Sequence, residues 1–242
     1  MSQGVTFPKF SRKVSFVKVI AVIPAFREET RIGDTVRAVL PYVDAVVVVD
    51  DGSGDRTPER AGEAGATVLR HRLNRGQGAA LRTGTEAALR LGADVILHID
   101  ADGQHDPASV PGLLAPLRSG DADVVFGSRF LGADADGMPA SRLALLAAAR
   151  TFNALAVGVP RRVTDPQSGF RAMTAAAARC VDFRQDRMAH CSEILRLVTR
   201  SPLRWREVPV RVRYTSESLK KGQKPWDAPA IAWQLFLGVF TR

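Results

Sequence analysis

The chain has 242 residues, 45% hydrophobic and 24% charged, with 20 glycines and 14 prolines; it is long enough to bury roughly 70% of its unfolded surface in one domain, which excludes collagen-like, low-complexity and wholly disordered chains. Its two cysteines, Cys180 and Cys191, form no CxxC pair, which excludes a disulfide scaffold and a cysteine zinc site and fits a reducing, cytoplasmic setting. The net charge of +9 gathers late: between Arg196 and Lys224 stand nine basic residues and two acidic ones, a stripe suited to nucleic acid, a phospholipid surface or a phosphate-bearing substrate, or else a solvated arginine-rich face.

Residues 1–17 read as a tail. Lys9, Arg12 and Lys13 are followed by no apolar core with a cleavage site, so no signal peptide is expected. Val17–Ile23, β-branched and stopped by Pro24, predicts a strand. Thr30–Leu40 has helical spacing, and Ala45–Val49 is an apolar strand running into Asp50 and Asp51. Pro58–Ala64 predicts a short helix with Thr57 as its N-cap. Thr67–Leu69 reads as a strand and Gly78–Leu91 as a helix stopped by Gly92. Val95–Ile99 is a strand ending in Asp100, Pro107–Arg118 a helix, and Asp123–Gly127 a strand. Further on come a helix over Arg142–Val157, a loop into a strand over Thr164–Arg171 and a helix over Ser192–Thr199. Trp205–Tyr214 reads as a strand with an arginine face, 216–225 as a basic loop, and 226–242 as an amphipathic helix. The longest apolar run, Ala230–Phe240, is far short of the ~20 residues that cross a bilayer. Alternating strands and helices predict an α/β fold, a mainly parallel Rossmann-like sheet with helices on both faces.

Such sheets bind ligands beyond the carboxyl ends of their strands, and there the polar residues cluster. Asp100 and Asp102, two apart, offer hard oxygen ligands for Mg²⁺ or Mn²⁺, which bridge diphosphate oxygens; Gln104 adds a neutral oxygen, with His105 beside it. The plain alternative is a polar turn with Asp106 capping the next helix. Asp50 and Asp51 stand where a carboxylate can accept from a base N–H or a ribose hydroxyl. Arg75-Gly76-Gln77-Gly78 is neither GxGxxG nor GxxxxGK[ST], which argues against a dinucleotide site and a P-loop.

Taken in order, VIPAFREE (22–29), VDDGSGDRT (49–57), NRGQGAALRTG (74–84), DADGQHDP (100–107), GSR (127–129), DPQSGFRA (165–172), SEIL (192–195) and EVPV (207–210) resemble the family 2 glycosyltransferases, most closely their polyprenyl- or dolichyl-phosphate sugar synthase branch. The resemblance covers residues 18–225 and implies a GT-A fold, a UDP- or GDP-linked sugar donor and a divalent metal, Mg²⁺ or Mn²⁺. It implies that Pro24, Phe26, Glu28, Asp51 and Arg75 serve the nucleotide sugar, with Asp100 at the ribose. Asp100, Asp102 and Gln104 would hold the metal, and Arg129 would bind phosphate where donor and acceptor meet. The resemblance makes Lys221 or Lys220 the basic residue of the late loop, and the basic stripe itself offers Arg211, Arg213, Lys220 and Lys221 to a lipid phosphate. The sequence departs from that branch twice: Phe26 stands where tyrosine is usual, and YTSESLKKGQ (214–223) replaces the usual late loop.

The implied reaction is an inverting transfer in which Asp102 with its metal, and Arg129, stabilise the departing nucleoside diphosphate. A polyprenyl phosphate is already ionised and needs no general base, whereas a sugar hydroxyl on a lipid-linked or cell-wall saccharide needs one. Asp165 is the first candidate base and Glu193 the second; their plain readings are a turn residue before Pro166 and a helix N-terminal charge. The late basic stripe then predicts peripheral contact with the inner face of the cell membrane. Two other classes share features with this chain. A nucleic-acid-binding module fits the pI of about 10.3 but not the carboxylate-rich crevice. A nucleotidyltransferase would release pyrophosphate instead. His98 reads as a satisfied core histidine, His71 and His190 draw no role, and both cysteines read as buried thiols.

Overall fold

The computed structural model describes residues 18–131, 160 and 162–212. The expected tail over 1–17, the helix over 142–157, the late loop, the helix over 226–242, and Arg213, Lys220 and Lys221 lie outside the described residues.

Among the described residues seven strands form one sheet: β1 (Val19–Ala25), β2 (Ala45–Asp50), β3 (Thr67–Arg70), β4 (Val95–His98), β5 (Val124–Ser128), β6 (Arg171–Thr174) and β7 (Trp205–Pro209), in the order β3-β2-β1-β4-β6-β5-β7. β1, β2, β3 and β4 pair in parallel, as do β5 and β7. β6 alone runs the other way, antiparallel to both β4 and β5. The expected mainly parallel sheet is present. Its central strands are covered on both sides, which is why Val46–Val49 can be a continuous apolar run.

Among the described residues six α-helices accompany it: α1 (Ile32–Val39), α2 (Thr57–Glu63), α3 (Gln77–Arg90), α4 (Val110–Arg118), α5 (Ala175–Cys180) and α6 (His190–Arg200). Side chains of a strand point alternately to its two faces, and β1 shows the result. Ala21 and Ile23 join one core with Ile32, Val36 and Val39 of α1 and Leu113, Leu114 and Leu117 of α4. Ile20 and Val22 join the opposite core with Ala80, Leu81 and Ala88 of α3 and Ile194, Leu195 and Val198 of α6. α3 lies close on β1, because a Cβ at Gly84 would collide with Val22.

Four expectations shift. Thr57 is the first residue of α2 rather than its cap: Asp55 accepts from its N–H at 3.1 Å and its hydroxyl at 2.6 Å, and the Thr57 oxygen accepts from Glu28 N at 2.9 Å. The threonine thus ties α2 to the loop after β1. The first turn over Pro107–Ser109 is a 3₁₀ turn capped by Asp106, with α4 following. β7 stops at Pro209 instead of running to Tyr214; Val210–Val212 turns away to lie along residues 105–109. α5 was not foreseen, since a run of four alanines carries no apolar–polar period; Thr174 caps it through Ala177 N.

Candidate active site at the carboxyl ends of the strands

β1, β2, β4 and β5 all end at the same edge of the sheet, and β6, reversed, begins there. The chain steps from β1 to β2 on one side and reaches β4 on the other, so a crevice opens outside β1.

Pro24 is buried within β1 opposite Val49. Phe26, just beyond, is 40% exposed. Glu28 pairs with Arg31 at 3.2 Å. After β2, the fully buried Asp50 accepts from Ser53 N and pairs with Arg70 at 3.2 Å. Asp51, also buried, accepts from His71 Nδ1 at 2.7 Å, Arg75 N at 2.9 Å and Gly76 N at 2.6 Å. A carboxylate only accepts, so His71 carries its proton on Nδ1 toward Asp51; its Nε2 meets Thr83 Oγ1 at 2.9 Å. Asp51 therefore secures the 71–76 loop, and three of its acceptor positions are engaged within the protein. Arg75 reaches Asp51 with its main chain while its side chain is exposed.

The glycines of Arg75-Gly76-Gln77-Gly78 have a packing cause. A Cβ at Gly76 or Gly78 would run into the main chain of Gln185–Asp186. Asp186 O accepts from Gly78 N at 2.8 Å and Ala79 N at 3.2 Å. The first N–H groups of α3, where a P-loop would hold phosphate, are capped by this chain's own carbonyl.

Asp100 accepts from Gln77 Nε2 at 2.7 Å and meets His105 Nε2 at 3.2 Å. Gly169 backs onto the carboxylate so closely that a Cβ would stand 2.6 Å from Oδ2. Burial pushes this carboxyl up, but the His105 hydrogen bond and the charges of His105, His190 and Arg171 outweigh it and hold it below the usual carboxylate range. Asp102 goes the other way: burial and the neighbouring Asp100 charge raise it, against the opposing hydrogen bond from Gln104 N. Gln104 also donates its side-chain Nε2 to Asp102 Oδ2 at 2.6 Å. It meets Asp102 through its amide N–H, and its Oε1 remains the atom that would serve as the neutral oxygen ligand expected from sequence.

Arg129, after β5, clasps the fully buried Asp165 through Nε and Nη2, both at 2.6 Å, and through its main-chain N at 3.2 Å. The Glu207 carboxylate fixes Thr164 N and Asp165 N at 2.9–3.0 Å. Asp165, expected as a general base, is thus engaged as the partner of Arg129. Glu193 accepts from Arg184 N and Gln185 N at 2.9 and 2.8 Å, which places it on the loop that caps α3. Phe170 stacks on His105 with centroids 4.9 Å apart. Residues 164–170 therefore bridge the site, from Arg129 at one end to Asp100 at the other. Arg211 is joined by its main chain to Asp106 and Ser109 and lies exposed beside this loop.

Behind the carboxylates runs a buried polar chain. Arg171 Nε donates to His98 Nδ1 at 3.2 Å, and His98 Nε2 meets Thr85 Oγ1 at 2.9 Å. Arginine cannot accept, so His98 keeps its proton on Nε2. Burial, then the charges of Arg171 and His190, hold its imidazole well below 6.5. Cys191 lies 3.3 Å from His190 Nε2; burial raises its thiol, but His190 and Arg171 bring it to about 7. Cys180 is exposed, contrary to expectation. His71, Gln77, Gly169 and Arg171 were not singled out from sequence. Each stands in a quoted segment or beside one, but its partner lies far along the chain.

Among the described residues no three His, Cys, Asp or Glu side chains converge as a self-sufficient metal cage. Asp100 and Asp102 nonetheless fit a hard divalent cation. They are two adjacent carboxylates, one raised by the other's charge, and such a cation commonly takes one or two carboxylates and completes its shell from diphosphate and water.

The family model described as glycosyl transferase family 2 matches residues 20–182. The UDP-N-acetylglucosamine–dolichyl-phosphate N-acetylglucosaminyltransferase of Methanococcus voltae is 30% identical, over 84% of this chain and 89% of its own. The undecaprenyl-phosphate mannosyltransferase of Micrococcus luteus is 33% identical, over 69% and 70%. Among solved structures, glucosyl-3-phosphoglycerate synthase of Mycobacterium tuberculosis, in complex with Mn²⁺, UDP and glucosyl-3-phosphoglycerate, superposes with a TM-score of 0.72 at 22% identity, over 98% of this chain and 86% of that one.

Proposed function

Given that the chain belongs to glycosyl transferase family 2, we propose that it moves a hexose-type sugar, with inversion, from a UDP- or GDP-linked donor to a polyprenyl phosphate. One observation carries the choice of acceptor. Both carboxylates that sequence offers as general bases are engaged: Asp165 accepts three hydrogen bonds from Arg129, and Glu193 holds two main-chain N–H groups. A hydroxyl acceptor needs a base, whereas an ionised phosphate does not. The relatives named for dolichyl- and undecaprenyl-phosphate support the same acceptor.

In this reading Phe26, with Pro24 and Glu28 in the same segment, forms the nucleoside side of the crevice. Asp51 holds the 71–76 loop against it, and Asp100 is oriented by Gln77 and His105. Asp102, with Asp100, would hold Mg²⁺ or Mn²⁺, which would supply positive charge to the departing diphosphate. Arg129, aligned by Asp165, faces the phosphates at the junction of donor and acceptor. Residues 18–225 form the catalytic unit. Arg211, with Arg213, Lys220 and Lys221, draws the lipid phosphate to the site from the inner membrane surface. No helix among the described residues is long and apolar enough to cross a membrane.

The test is nucleoside-diphosphate release from UDP-, GDP- and dTDP-sugars with Mg²⁺ or Mn²⁺, with and without undecaprenyl phosphate. Release that requires the lipid phosphate, with the product's anomeric configuration inverted, is expected. Release indifferent to the lipid would reject the acceptor, and no turnover with any donor would reject the reading.

A further inference from the structure

Arg27 is the one non-glycine residue with a positive φ, 55°, among the described residues. A long side chain in the left-handed region is uncommon, and glycine or asparagine is the usual occupant. Such strain persists where the surroundings over-determine it, and it clusters at ligand sites. Here the surroundings are visible. Arg27 N donates to Ser53 Oγ at 2.8 Å, pinning the turn after β1 to the loop after β2. The guanidinium lies over the Phe26 ring, 5.1 Å from its centroid. Phe26 keeps 40% exposure, and Arg27 is itself exposed. An aromatic ring and a guanidinium rich in hydrogen-bond donors thus lie together just beyond the carboxyl end of β1.

We propose that Arg27 is a specificity-determining residue that reads the donor's nucleobase, donating its guanidinium N–H groups to a ring carbonyl oxygen while Phe26 supports it. The chemistry selects bases that carry a carbonyl acceptor, such as uracil or guanine, over adenine, which carries none. The left-handed turn, the hydrogen bond to Ser53 and the guanidinium over Phe26 meet at this one residue. This inference rests on the nucleotide-sugar reading above and adds the group that distinguishes the base.

Calorimetric titration with UDP, GDP, UMP and ADP, each with Mn²⁺, tests it on the wild-type chain and on Arg27→Asn and Arg27→Lys. Asparagine tolerates the left-handed turn, so Arg27→Asn should melt no lower than wild type. It should weaken UDP or GDP binding about 10- to 100-fold, the span of a hydrogen bond to a charged group. UMP should weaken in step and ADP should not change, so that base selectivity collapses; Arg27→Lys should recover little. Unchanged affinities in Arg27→Asn would overturn the proposal. An equal loss for ADP, or a loss for UDP but not UMP, would overturn it in favour of a phosphate contact. If wild type binds no nucleoside diphosphate at all, the nucleotide-sugar reading falls and this inference with it.

Discussion

Asp165→Asn separates an aligning carboxylate from a general base. The Asp165 side chain is 0% exposed and that of Arg129 16%, and three hydrogen bonds join them. Removing one member of a buried pair costs about 3–5 kcal/mol, because the other charge is left uncompensated. Asparagine keeps one acceptor oxygen, so the lower end, about 3 kcal/mol, applies. For a chain of this size each kcal/mol shifts Tm by roughly 2–4 °C, giving a drop of roughly 6–12 °C. Turnover should fall because Arg129 loses its alignment, while the acid limb of the pH–rate profile stays in place. Thermal melting and nucleoside-diphosphate release across pH check both. A variant that melts within about 2 °C of wild type yet loses turnover together with the acid limb would refute the reasoning and restore Asp165 as the base.

Asp102→Asn should weaken Mn²⁺ binding, measured by titration in the presence of UDP, by more than the roughly 10–100-fold typical of outer-shell partners. Gln77→Ala, which frees one Asp100 oxygen, should fall within that span. Gly78→Ala forces a methyl into the Gln185 carbonyl and should cost about 1–3 kcal/mol in urea unfolding. Gly112→Ala, in α4 with nothing near its added Cβ, should gain roughly 0.5–1 kcal/mol. His98 titrates well below 6.5 when folded, so the unfolded chain binds more protons than the folded one between that lowered pKa and 6.5. Its contribution is complete above pH 6.5 and is lost as pH falls, at up to about 1.4 kcal/mol per pH unit. His98→Asn should flatten the fall of stability between pH 6.5 and 5, and an unchanged slope would show that the imidazole is not held neutral.

The architecture was legible because it depends on local pattern. β-branched runs ending in aspartate and helical stretches ending at glycine mark β2, β4 and α3 without knowledge of their neighbours. The order of the polar strand ends was legible for the same reason. What the sequence hid is pairing at long separation. Asp165 reads as a turn residue or a base until Arg129, thirty-six positions earlier, is seen to clasp it. Gly76 and Gly78 match no phosphate-loop pattern, and nothing in the sequence explains them until residues 185–186 are seen pressed upon them. His71 reads as nothing until Asp51 and Thr83 flank it. Sequence does not say that Gln104 turns its amide N–H onto Asp102. β6 runs antiparallel to β4, pairing Arg171 with His98 at the edge where Asp100 follows, and nothing in the local pattern of Arg171–Thr174 announces that direction.

The charges around the crevice make a last prediction. A divalent cation shared by the Asp100 and Asp102 carboxylates offsets only part of the donor's diphosphate charge. Arg129 carries one positive charge, and Asp165 offsets it. A second anion, the acceptor phosphate, would therefore meet net repulsion unless further cations lie nearby, whereas a neutral hydroxyl acceptor would not. Arg211 of the late basic stripe is a candidate for such a cation, because its main chain is tied to the segment that follows Asp102. If the acceptor is a lipid phosphate, its KM should rise steeply as salt shortens the Debye length from about 10 Å at 0.1 M toward about 3 Å at 1 M, with the donor's KM changing less. Arg211→Ala should raise the lipid's KM at low salt and reduce this salt dependence. An acceptor KM indifferent to both salt and Arg211 would mean that the stripe does not serve the acceptor, and the case for an anionic one would rest on the engaged carboxylates alone.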